Sequence, residues 1–200
     1  MIKSIIFDLG NVVVKLKKEK QYGEFSKLNG KSIIYIKKYI ENSNLSIKFE
    51  SGKLTPEQFH ESFCKELNLN LTFDHFRKVW CSMFAHNKQV EKAIIGLKDK
   101  YRIILLSNTD PLHFPYIKSK FKILDKFDDF VLSYEVGCRK PNKKIFSDAI
   151  KKSKANPKEC LYFDDVLPYV KAAGRLGIKS FQYVDFSKFS KDLKNCGILV

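Results

Sequence analysis

Four short stretches of this 200-residue chain set reactive groups directly behind apolar runs. Ile5-Ile6-Phe7 leads into Asp8-Leu9-Gly10-Asn11, and Ile103-Ile104-Leu105-Leu106 into Ser107-Asn108-Thr109-Asp110. Phe130-Val131-Leu132 leads into Ser133 and then Arg139-Lys140-Pro141, and Leu161-Tyr162-Phe163 into Asp164-Asp165. Brought to one edge, these supply three carboxylates, a hydroxyl, backbone amides and a lysine. Three converging carboxylates repel one another and retain protons unless a divalent cation joins them. Mg²⁺ is the apt ion, because it takes hard oxygen ligands and keeps sites for water and phosphate oxygens. The serine hydroxyl, the amides and the ammonium complement the other oxygens of a phosphoryl group. A carboxylate held against phosphorus can attack it and form an aspartyl-phosphate. The chemistry indicated is Mg²⁺-assisted phosphoryl transfer.

Positioning these residues requires a sheet. Continuous apolar runs bounded by polar turns suit strands buried on both faces of a parallel sheet, and Phe181-Gln182-Tyr183-Val184 supplies a fifth. Between Arg102 and Val184 strands alternate with helices, which predicts an α/β fold with a doubly wound parallel sheet, whose ligands bind at the carboxyl ends of its strands. Asn142 to Ile150 carries an apolar stripe of Ile145, Phe146, Ala149 and Ile150. Asn156-Pro157 reads as the N-cap and first position of a short turn. Leu167 to Leu176 is a small-residue helix, with Gly177 just past its end.

From Lys15 to His86 the pattern is helical. Lys31 to Ile40 places Ile33, Ile36, Lys37 and Ile40 on one face, and Thr55-Pro56-Glu57-Gln58 is a capping box with proline at the first helical position. Thr72 can cap a further helix with a buried stripe of Phe73, Phe76, Val79, Trp80 and Phe84. Residues 15–86 are therefore expected to form an all-helical insertion, and residues 1–14 with 87–200 the α/β core.

Phe7-Asp8-Leu9-Gly10-Asn11-Val12, Leu106-Ser107-Asn108-Thr109, Arg139-Lys140-Pro141 and Phe163-Asp164-Asp165 resemble the four ordered motifs of the haloacid dehalogenase (HAD) superfamily phosphatases. Phe49-Glu50-Ser51-Gly52-Lys53-Leu54-Thr55 resembles the helical cap of its subclass I, and Asp-Leu-Gly-Asn-Val is similar to the bacterial glucose-1-phosphate phosphatase branch. The resemblance implies a HAD-like Rossmannoid core and assigns roles. Asp8 would be the nucleophile and a Mg²⁺ ligand, and Gly10 would offer its carbonyl to the metal. Ser107 and the amide of Asn108 would hold phosphoryl oxygens, while Lys140 would neutralise charge and orient Asp8. Asp165 would be the direct metal ligand, and Asp164 would act through water. An intact acidic pair favours phosphate over halide displacement, which needs no divalent ion.

The chain departs from that pattern twice. Gly10 stands where the commoner motif has a second Asp serving as general acid, a contribution of roughly 10² to 10⁴ in rate. A good leaving group, such as an anomeric sugar oxygen, would need less protonation, and restoring the acid with Gly10→Asp should raise turnover on alkyl phosphates. Tyr169 stands where relatives place an Asn, and its expected part is packing at a helix start. His60, His75, His86 and His113 read as surface or cap residues, His113 being the one close enough to the second motif to approach the site mouth.

Composition narrows the partners. Lys+Arg 37 against Asp+Glu 22 gives +15, but only Arg77, Arg102, Arg139 and Arg175 are arginine, so 37 − 4 = 33 cations are lysine. Bidentate recognition of phosphate or guanine favours arginine, which argues against nucleic acid. The aromatics Phe59, Phe63, Phe73, Phe76 and Trp80 recur at helical spacing and read as core rather than as base-stacking platforms. No apolar stretch approaches the roughly 18 residues of a membrane span, and the N-terminus does not read as a signal peptide. Five widely spaced cysteines form no metal motif and read as reduced. The expectation is a cytoplasmic Mg²⁺-dependent phosphatase of a small phosphorylated metabolite, such as a sugar phosphate. The alternative is a weakly catalytic phosphate-binding or regulatory protein of the same fold, with lysine-rich nucleic-acid binding a distant third.

Overall fold

A computed structural model describes residues 1–199. Five parallel strands make the sheet: β1 (Ser4–Phe7), β4 (Arg102–Ser107), β5 (Asp129–Leu132), β6 (Cys160–Asp164) and β7 (Lys179–Gln182), in the order β5-β4-β1-β6-β7. The central strand β1 pairs with β4 on one side and β6 on the other, Phe7 lying between Leu105 and Phe163. The chain reverses its winding direction here, so Asp8 emerges at the topological switch point.

Alternation along the strands builds a core on each face of the sheet. Ile5, Phe7, Ile103, Leu105 and Phe163 pack against α6 (Lys88–Lys98), α7 (His113–Lys120) and α11 (Phe186–Lys194). Ile6, Ile104, Leu106 and Tyr162 face α9 (Lys143–Ser153) and α10 (Leu167–Gly174). The expected α9 stripe is present, with Ile145, Phe146 and Ala149 buried and Asn142 accepting from the Lys144 amide as N-cap. Gly177 has φ +86°, the left-handed conformation expected just past a helix end.

The remaining helices lie between β2 (Val14–Leu16) and β3 (Phe84–His86): α1 (Lys18–Asn29), α2 (Ile33–Asn42), α3 (Asn44–Glu50), α4 (Pro56–Glu66) and α5 (Phe73–Trp80). They enclose an aromatic cluster of Phe25, Phe49, Phe59, Phe63, Phe76 and Trp80, with Phe49 and Phe59 stacked at 4.0 Å. The capping box of α4 is complete, Thr55 and Gln58 bonding each other's backbone amides, and Thr72 caps α5.

Four expectations need correction. The insertion is not purely helical, because β2 and β3 form an antiparallel ribbon at its base, Leu16 opposite Phe84. Phe84 therefore belongs to a strand and not to the α5 stripe; pairing between segments so far apart leaves no mark in local periodicity. On α2 only Ile36 is fully buried, and Ile33 is 48% exposed. The last strand is Lys179–Gln182 instead of Phe181–Val184. As an edge strand it needs no continuous apolar run, and register with β6, Leu161 opposite Lys179, sets its start.

The insertion touches the core closely near α8 (Ser133–Val136). A Cβ at Gly52 would lie 2.1 Å from the Tyr134 carbonyl oxygen, and Gly52 has φ +68°. Only glycine meets both demands.

Candidate active site

Asp8 and Asp164 end adjacent strands, and Lys140 arrives from the β5 side to bridge them. Its Nζ donates to Asp8 Oδ1 at 2.5 Å, to Asp164 Oδ2 at 2.7 Å and to the Leu106 carbonyl at 3.2 Å. A reciprocal pair holds this loop in place: the Lys140 amide donates to Asn108 Oδ1 at 2.8 Å, and Asn108 Nδ2 donates to the Lys140 carbonyl at 3.2 Å. The second and third motifs are thus docked by Asn108. Ser107 is buried beside it, and the Ser133 hydroxyl bonds both the amide and the carbonyl of Thr109.

The acidic pair is held from two directions. Asp164 is fully buried; Tyr162 Oη and Lys140 donate to its Oδ2, and the Val166 amide donates to its Oδ1. Asp165 is half-buried and receives Asn11 Nδ2 on Oδ2 at 2.8 Å, while Asn11 Oδ1 accepts from the Leu16 amide. Asn11 adopts φ +57° to reach both. Tyr169 is more than packing: its hydroxyl accepts from Asn108 Nδ2 at 3.4 Å, and its ring lies 5.2 Å from Lys140 Nζ.

Electrostatics follow from this burial. Removal from water raises Asp8 to about 7, opposed by Lys140 and reinforced by Asp164 and Asp165. Burial raises Asp165 as well, with Asn11 opposing. Burial disfavours the Lys140 charge, yet Asp8 and Asp164 outweigh it and the ammonium is held above its usual range. One ammonium is too little charge for three carboxylates. Ligand oxygens of Asp8, Asp164 and Asp165 lie within 4.8 Å of one another. This all-oxygen donor set fits a hard divalent cation, Mg²⁺.

The sequence assigns chemistry to seven residues. The structure gathers Asp8, Lys140, Asp164 and Asp165 in one cluster, with Gly10, Ser107 and Asn108 lining the adjoining cavity. That cavity measures about 350 Å³ and is roofed by Lys18, Tyr22, Glu41, Ser46 and Glu50 of α1, α2 and α3. His113 does reach it, but both ring nitrogens are engaged: Nδ1 lies 2.7 Å from Asp110 Oδ2 and Nε2 2.9 Å from the Trp80 carbonyl. Tyr162, the Asn11 clamp and the roof lie outside the set expected from the sequence. Tyr162 carried a signal, since positions i and i+2 of a strand share a face and Tyr162 and Asp164 do so. The roof residues carried none, because nothing local connects them to the strands they cover.

A parallel sheet presenting this buried acid–lysine cluster at its switch point defines a hydrolase of phosphoryl groups that works with a divalent cation. The chain belongs to the haloacid dehalogenase-like hydrolases, whose family pattern matches residues 2–177. It is 31% identical over 191 residues, 91% of this chain and 92% of the relative, to the D-ribitol-5-phosphate phosphatase of Bacteroides thetaiotaomicron. A HAD family enzyme of the same organism, crystallised with magnesium and inorganic phosphate, superposes with a TM-score of 0.85 at 26% identity, covering 94% of this chain and 99% of that one. A HAD-like hydrolase from Porphyromonas gingivalis gives 0.85 at 26% identity, covering 98% of each. Family, relatives and acidic cluster agree on a Mg²⁺-dependent phosphoric monoester hydrolase. None of the described helices is long and apolar enough to cross a membrane.

Proposed function

We propose that the chain hydrolyses the phosphate monoester of a small hydroxylated metabolite, a polyol or sugar phosphate, with Asp8 as the nucleophile. The observation that carries this is Lys140 bridging Asp8 and Asp164 beside a cavity of about 350 Å³. That volume lies at the low end of the roughly 300–1,000 Å³ of small-molecule sites, enough for a small metabolite and not for a protein segment. The relative's substrate, D-ribitol 5-phosphate, is of the matching size and chemistry.

Asp8, the Gly10 carbonyl and Asp165 would hold Mg²⁺, with Asp164 acting through water. When bound, the ion offsets the charge of the carboxylates and of the phosphoryl oxygens. Lys140 fixes Oδ1 of Asp8 and so presents the carboxylate in a single orientation. An oxygen of Asp8 attacks phosphorus; the O–P bond to Asp8 forms as the ester P–O bond breaks, and the alcohol leaves with a proton from solvent. Water then cleaves the aspartyl-phosphate and releases inorganic phosphate. Ser107 and the Asn108 amide hold the phosphoryl oxygens throughout. Residues 15–86 act as a cap that closes over the core of 1–14 and 87–200 to exclude water. A cytoplasmic location fits a metabolite substrate and reduced cysteines.

Phosphate release should be measured from a panel containing D-ribitol 5-phosphate, an aldose 1-phosphate and p-nitrophenyl phosphate. The expected result is release that needs Mg²⁺, stops with chelator and is lost in Asp8→Asn. Release that survives chelation and Asp8→Asn would overturn the reading. Absent release with phosphate still bound would favour the phosphate-binding module.

A further inference from the structure

The cavity roof carries charge that the phosphoryl chemistry does not use. Glu41 Oε1 receives the hydroxyl of buried Tyr22 at 3.0 Å and the Lys18 ammonium at 3.5 Å, while its Oε2 has no protein donor among the described residues. Arg139 meets Glu50, Nε to Oε2 at 2.6 Å, and His113 meets Asp110. Each cation lining the cavity therefore has a carboxylate within 4 Å. A second phosphate or a carboxylate on the substrate would have to compete with these carboxylates for Lys18 and Arg139 and would be repelled by Glu41. A chain of neutral hydroxyls would find acceptors in Glu41 Oε2 and the Ser46 hydroxyl, and donors in the remaining Lys18 protons. Trp80 is stacked between His113 at 5.1 Å and Phe76 at 5.8 Å, so neither of its faces is open to a nucleobase.

Resting on the phosphatase reading above, we propose that Glu41, held by Tyr22 and Lys18, is a specificity-determining residue that selects an uncharged polyhydroxyl tail and rejects an anionic one. The selection works by hydrogen bonding to the tail's hydroxyls and by repulsion of tail carboxylate or phosphate. A hydroxyl bonds a charged acceptor more strongly than a neutral one, so exchanging the Glu41 carboxylate for an amide costs about tenfold in affinity for the tail.

The test compares wild type, Glu41→Gln and Tyr22→Phe on three substrates with Mg²⁺: D-ribitol 5-phosphate, a pentonate phosphate with a carboxylate at the far end, and p-nitrophenyl phosphate, which has no such tail. In Glu41→Gln the ratio of kcat/KM for the polyol phosphate to that for the aryl phosphate should fall about tenfold, carried by KM. The ratio of pentonate to polyol phosphate should rise in the same variant. Tyr22→Phe, which frees Glu41 without removing it, should lower the polyol ratio less. Equal changes on all three substrates would overturn the proposal and leave the phosphatase reading intact. If wild type released phosphate from none of the three, both would fall.

Discussion

At the scale of single residues, Gly10 and Leu16 explain each other. A Cβ at Gly10 would lie 2.9 Å from Leu16 Cδ1, so the space of the missing carboxylic acid is filled by the ribbon residue. The gain expected of Gly10→Asp therefore depends on Leu16 moving. On an alkyl phosphate, Gly10→Asp combined with Leu16→Ala should exceed both single variants in kcat, by up to about 10²-fold. If the pair turned over no faster than Leu16→Ala, an acid at position 10 would contribute nothing in this protein. Asn11 shows how far one side chain reaches: it ties Asp165 to Leu16, joining a metal-ligand candidate to the strand that enters the cap.

Between elements, the Asp110–His113 pair pins α7 to the end of α5. Both ring nitrogens of His113 face acceptors, a geometry that favours the doubly protonated imidazolium. Burial alone would lower His113, but Asp110 outweighs it and raises the pKa above the ordinary 6.5. Burial would likewise raise Asp110, but His113 and the amides of Leu112 and His113 hold it below 3.8. The raised histidine contributes stability that is whole below pH 6.5 and lost as pH climbs through its folded-state pKa. The lowered aspartate contributes stability that is whole above 3.8 and lost as pH falls through its folded-state pKa. The difference in urea midpoint between wild type and His113→Gln should be widest between 3.8 and 6.5 and shrink toward alkaline pH. A difference that stays constant from neutral to alkaline pH would show that the ring is neutral in the folded protein.

Over the whole molecule, a charge of +15 surrounds a site whose own chemistry is carried by three acids and one lysine. Such a field draws an anionic substrate inward and raises its encounter rate. Salt screens it within about 10 Å at 0.1 M. Where substrate capture limits turnover, kcat/KM should fall severalfold as ionic strength rises from about 0.01 to 0.15 M, with kcat unmoved. A flat profile measured by stopped-flow phosphate release would make the lysine surface a bystander to catalysis.

The sheet and the reactive cluster follow from the order of residues along the chain. Asp8, Ser107, Lys140 and Asp164 each follow a buried apolar run, and a parallel sheet has one carboxyl edge, so their convergence is forced once the runs are strands. Helix starts such as Thr55, Thr72 and Asn142 were equally legible, because a cap and its first turn are neighbours in the chain. What closes over that edge emerges only from long-range packing. The β2–β3 ribbon, the Leu16 side chain beside Gly10, and the Lys18–Tyr22–Glu41 roof all depend on contacts between distant segments. Such contacts are set by how the cap packs on the core, and packing has no period along the chain from which to read it.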